Sequence, residues 1–76
     1  MRKKFVEFLI ANAGSLRIFL EGEDGQSEIA LAHLNIEGIL ADNPESKIGA
    51  LVKSGRGILN SGDGEYFYRF TKRKGE

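Results

Sequence analysis

Nucleophilic or acid–base catalysis needs a reactive group, a base and an orienting group that converge. The chain has one histidine, His33, and no cysteine. His33 continues the alternating face of Ile29 and Leu31 in "SEIALAHL", a position that suits a partly buried structural histidine better than a base or a ligand. Without thiolates and with one imidazole, a transition-metal site would have to rest on carboxylates, and these stand at no recognised ligand spacing. The acidic stretch "EGEDGQSE" (21–28) has the composition of a calcium loop. It lacks the alternating ligand positions and the terminal bidentate glutamate, so it reads as a solvated turn. "GALVKSGRG" (49–57) places Lys53 and Ser54 after Gly49, yet a phosphate loop requires glycine directly before the lysine and a helix beginning there. Here Val52 precedes Lys53 and a helix is ending. Gly55, Gly57, Gly62 and Gly64 read as a helix stop and turn residues. The chain thus yields no catalytic, metal or cofactor assignment, and the expectation is a protein that is not an enzyme.

Binding chemistry is better represented. Seven of the eleven basic residues lie near the chain ends, Arg2, Lys3, Lys4, Arg69, Lys72, Arg73 and Lys74. No Lys or Arg falls between Ile18 and Ser46, where Glu21, Glu23, Asp24, Glu28, Glu37, Asp42 and Glu45 are found. Solvated surface charge would account for this, as would a molecule with a basic and an acidic pole. Antiparallel pairing of the last strand with the first would bring both basic runs into one patch able to attract phosphates.

In "GEYFYRFTKRK" (64–74), Tyr66, Tyr68 and Phe70 alternate with Phe67, Arg69 and Thr71. With Phe67 and Arg69 outward, they would stand near Phe5 and Arg17 or Phe19, an aromatic platform on which each stacked base gains about 1–3 kcal/mol. The competing expectation is that this second face packs under the helix or closes a homodimer. The candidate binding surface is therefore Arg2, Lys3, Lys4, Arg17, Phe67, Arg69, Lys72, Arg73 and Lys74.

These residues need elements to position them. "KKFVEFLIA" (3–11) alternates Val6, Phe8 and Ile10 against Phe5, Glu7 and Leu9 and predicts a first strand. The turn "NAGS" leads to "LRIFLE" (16–21), and the turn "GEDGQ", with its Asp24-Gly25 pair, leads to a third strand ending near His33. "NIEGILAD" (35–42) suits a short helix capped by Asn35, although Gly38 would also suit a bulge in an extended segment. "NPESKIGALVKSG" (43–55) predicts the main helix, about 44–54, with Asn43 as cap, Pro44 at the first position, an apolar stripe of Ile48, Leu51 and Val52, and Gly55 as the stop. "RGILN" and "EYFYRFTKR" around "SGDG" predict a closing hairpin. The expected fold class is α+β: a small antiparallel sheet of about five strands in the order βββαββ with one main helix. That order is shared by partly closed OB-like barrels and by an open sheet packed on a helix.

Seventy-six residues with 41 % hydrophobic and 29 % charged content describe a single small folded domain over 1–76. So short a chain has a modest core, which dimerisation would extend. The basic start followed by an interrupted apolar run fits neither a leader peptide nor a membrane span, and the absence of cysteine agrees with a cytoplasmic protein. A net charge of 0 suits a protein partner better than general nucleic-acid binding. The leading expectation is a protein-binding inhibitor, adaptor or regulator, of phage or mobile-element origin or cellular, and the alternative is a nucleic-acid-binding module using the basic patch and strand aromatics.

Overall fold

A computed structural model describes residues 1–73 and shows an α+β fold with three α-helices on one face of a four-stranded antiparallel sheet. The first element corrects the expectation of a strand over 3–11: α1 is a helix, Arg2–Ala11. Two periodicities coexist in this apolar-rich run, and burial decides between them. The helix places Phe5, Phe8 and Leu9, spaced i, i+3, i+4, in the core and leaves Ile10 69 % exposed. A strand would have turned Ile10 to the same side as Phe8. The helix ends where the Asn12 side-chain amide donates to the Phe8 carbonyl at 2.8 Å.

β1 (Leu16–Gly22) and β2 (Gly25–Ile29) form the hairpin that Asp24-Gly25 predicts, with Gly22 paired to Gly25 across the turn. The strand expected to reach His33 stops at Ile29. Leu31–His33 make a single 3₁₀ turn, which brings Leu31 and Leu34 to the same side and packs both against the core. His33 is exposed on that turn, which corrects the expectation of a partly buried histidine.

Two helices follow. α2 (Ile36–Asp42) is the short helix that the sequence suggests, and its Asn35 cap accepts the Gly38 N–H at 3.1 Å. α3 (Glu45–Ser54) buries Ile48 and Leu51 and stops at Gly55, whose φ of +77° and N–H bond to Leu51 O make the left-handed cap. Asn43 does not cap α3. Pro44 holds that position, and Asn43 is engaged elsewhere.

β3 (Gly57–Asn60) and β4 (Phe67–Lys72) close the chain as a hairpin. The sheet order is β2-β1-β4-β3, with antiparallel pairing throughout. Four strands replace the expected five because 3–11 is helical. The sheet is open, with β2 and β3 as its edges, so the barrel-like alternative is not realised. The core lies between the sheet and the helices, where the Phe5 ring meets Phe70 edge-on at a centroid distance of 6.5 Å. No helix among the described residues is long and apolar enough to cross a membrane.

Candidate functional site

The basic run at the start of the chain is carried by α1, and the run near its end by β4. Because β4 pairs with β1 and not with residues 3–11, the two runs do not join through strand pairing. Arg73 donates its backbone N–H to Ser15 O at 2.8 Å, and Ser15 lies beyond the end of α1 opposite to Arg2. The helix separates Arg2 from Ala11 by roughly 13 Å along its axis. Lys74 lies outside the described residues.

The two runs are instead connected by α3. Arg2 forms an ion pair with Glu37 in the first turn of α2, an exposed pair that raises the guanidinium pKa and lowers that of the carboxyl. The Met1 methyl lies 3.7 Å from where a Cβ on Gly49 would stand, so the first turn of α1, with Lys3 and Lys4 exposed, borders the middle of α3. At the other end of α3 the Lys72 side chain lies across Gly55, where any Cβ would collide with its Cε. Between these points the solvent side of α3 presents Ser46, Lys47, Ala50, Lys53 and Ser54, followed by Arg56, all exposed. Lys47, Lys53 and Arg56 are absent from the sequence-derived surface. For the two lysines the signal lies in the helix itself: with Ile48, Leu51 and Val52 facing inward, Lys47 and Lys53 fall outside the apolar stripe.

A polar joint fixes α2 and α3 against the closing hairpin. Asn43, 6 % exposed, donates to Ile39 O at 2.8 Å and to Asn60 O at 3.0 Å and accepts the Asn60 N–H at 2.9 Å. Asn35 donates to Ser61 O at 3.2 Å, and its own N–H reaches the Tyr68 hydroxyl at 3.1 Å. This gives Tyr68 the hydrogen-bond partner that a buried phenol requires. Gly38 and Gly62 meet backbone to backbone, since a Cβ on Gly62 would stand 2.5 Å from Gly38 Cα.

The opposite sheet face carries the second group of expected residues. Phe67, Arg69 and Thr71 of β4 stand opposite Glu21, Phe19 and Arg17 of β1. Arg17 and Phe19 are therefore beside Phe67 and Arg69 as expected, whereas Phe5 is in the core on the other side. Among the described residues no helix covers this face; the helices pack on the core side. Both of its arginines are engaged: Arg69 Nε lies 2.6 Å from Glu21, and Arg17 Nη2 lies 2.9 Å from Glu28, its guanidinium 4.9 Å from the centre of the Phe19 ring. Hydrogen bonding to these arginines is the main cause that lowers the Glu21 and Glu28 pKa values. Phe67, 45 % exposed, and Ile58 are the apolar groups left open to solvent on it.

The ends of the sheet differ in charge. The turns 22–25 and 61–66 lie together and frame a cleft of about 660 Å³, lined by Glu21, Glu23, Asp24, Glu65, Tyr66 and Phe67 among others. The Tyr66 ring rests on Gly22. Asp63 holds its own turn: its carboxylate accepts the backbone N–H groups of Glu65 and Tyr66 and the Ser61 hydroxyl, which keeps its pKa below the usual aspartate range. At the other end stand Arg17, Lys72 and Arg73 with Lys53 and Arg56, where Glu28 is engaged by Arg17. Among the described residues no group of three or more His, Asp or Glu is placed to hold a metal ion. No protein-family model, no curated protein and no solved structure matches the chain.

Proposed function

We propose that the protein is a non-enzymatic binding module whose partner is a nucleic acid, bound through its phosphates at the basic end and the helical side. The observation that carries this reading is the segregation of charge. With net charge 0, Lys53, Arg56, Lys72 and Arg73 still gather at one end of the sheet, while Glu23, Asp24, Asp63 and Glu65 gather at the other. The sequence favoured a protein partner because the net charge is 0. A sum over the chain conceals a field that is positive on one side, and phosphates respond to the local field. Arg17 and Arg69 are not counted in this surface, because their carboxylate partners repel phosphate, and Phe67 stands opposite Glu21 on the same face.

Fluorescence anisotropy with oligonucleotides at 50 and 200 mM salt tests the reading. Binding should weaken steeply with salt, and Lys72→Gln with Arg73→Gln should reduce both affinity and salt slope. Affinity that is unaffected by salt and by these changes would reject it.

The uncovered sheet face supports a second reading, a protein partner. Phe19, Phe67 and Ile58 with two internally paired arginines make a neutral, partly apolar surface of the composition found at interfaces. A stable self-association that Phe67→Ser abolishes, seen by sedimentation, would place a second copy there.

A further inference from the structure

We infer that α3 is a reading helix that enters the major groove of duplex DNA, with the first turn of α1 and Lys72 holding phosphates on either side. The inference rests on the nucleic-acid reading and specifies it. α2 and α3 are joined by Asn43 and Pro44 alone and followed by a β-hairpin. Two helices in succession across a short turn are one build that presents its second helix to the major groove, and α3 is the second helix here. The joint made by Asn43, Asn35 and Tyr68 fixes that helix before any ligand arrives, so little ordering is needed on binding.

The exposed side of α3 suits a groove about 12 Å wide. Ser46, Ala50 and Lys53, spaced i, i+4, i+7, form one stripe, bordered by Lys47 and Ser54. The small residues at its centre allow close approach to base edges, while Lys47 and Lys53 can donate to guanine O6 and N7. Glu45, in the first turn, can accept from the cytosine N4 amine. Helix α3 has ten residues, long enough to span roughly four base pairs at 1.5 Å per residue against 3.4 Å per pair.

Flanking contacts follow from the same placement. Lys3 and Lys4 lie on the turn of α1 that borders Gly49, and Lys72 crosses Gly55 at the end of α3. The tip of the β3–β4 hairpin is excluded from the backbone because it presents Asp63 and Glu65, so the contact is one-sided. The sheet face is excluded as the reading surface, since Glu21 and Glu28 occupy its arginines.

The test compares a 20-base-pair duplex of random sequence with its single strand by anisotropy at several salt concentrations. It uses the wild type, Ala50→Glu, Lys3→Gln with Lys4→Gln, Lys72→Gln with Arg73→Gln, and Phe67→Ser, each first checked for cooperative unfolding. The duplex should bind at least tenfold more tightly than the single strand. Ala50→Glu should weaken duplex binding tenfold or more, and the Lys3/Lys4 variant should lower the salt slope by about 2. Phe67→Ser should leave binding unchanged. If single strands bind as well as duplex, or Ala50→Glu binds as the wild type while Lys72→Gln with Arg73→Gln does not, the helix assignment falls and the broader nucleic-acid reading stands. Absence of salt-sensitive binding to either form overturns both.

Discussion

Single side chains separate into those that hold the fold and those free to bind. Phe70 is 1 % exposed against Phe5, so Phe70→Ala should cost about 3–5 kcal/mol in a urea melt. Tyr66 precedes β4 and is 39 % exposed. Truncating it should cost about 1 kcal/mol or less, although strand alternation places it on the Phe70 face. Lys72→Gln should leave stability within about 0.5 kcal/mol. Asn43→Ala removes three hydrogen bonds at a buried position and leaves the Asn60 N–H without its acceptor, so a loss of about 2 kcal/mol or more is expected. A loss no greater than that of an exposed substitution would show that water replaces the side chain and that the helix pair is not locked by it.

Elements differ in how much of them the sequence exposes. α3 and the β3–β4 hairpin are legible because local signals agree there: Pro44 and Glu45 at a start, Gly55 at a stop, alternation on both sides of "SGDG". α1 was not legible, since Phe5, Phe8 and Leu9 satisfy a helix while Val6, Phe8 and Ile10 satisfy a strand, and only the geometry of the core selects one. The helical choice also moves the candidate patch, since Lys3 and Lys4 stand at the side of α3 and not at the β4 edge. The joint between α2 and the hairpin was equally hidden, as it depends on contacts between residues distant in sequence.

The Gly38–Gly62 approach makes one further prediction at this scale, and the neighbouring Asp63 turn a second. Gly62 has a φ of +103° and its Cβ would strike backbone, so Gly62→Ala should cost about 2–3 kcal/mol by denaturant melt. A loss below about 1 kcal/mol would mean that the hairpin can move away from α2. The Asp63 turn adds a pH dependence. The folded-state pKa is lowered, chiefly by the Glu65 N–H, so the stabilisation is fully present above the usual aspartate pKa of about 3.9 and is lost as pH falls through the depressed folded value. Wild type and Asp63→Asn should therefore differ in Tm at pH 6, and the difference should shrink as pH falls below about 3.9. A constant difference across that range would contradict the assignment.

Across the whole molecule, the acidic turns and the basic end lie at opposite ends of the sheet in a body measuring 30 × 27 × 19 Å. Screening decides how much each end influences the other. At 0.15 M ionic strength the Debye length is about 8 Å, so the acidic end, roughly 20 Å away along the strands, is more than two screening lengths from a ligand held at Lys72 and Arg73; at 0.01 M it is about 30 Å and the whole molecule is felt. Replacing Glu23, Asp24 and Glu65 by Gln, Asn and Gln removes three negative charges and moves the net charge from 0 to +3. At 10 mM salt this triple variant should bind duplex several-fold more tightly than the wild type, mainly through a faster association rate. At 150 mM the two proteins should bind alike, because the removed charges are then screened from the ligand. A difference that persists at 150 mM would place the acidic turns in contact with the nucleic acid, which the proposed orientation of α3 forbids.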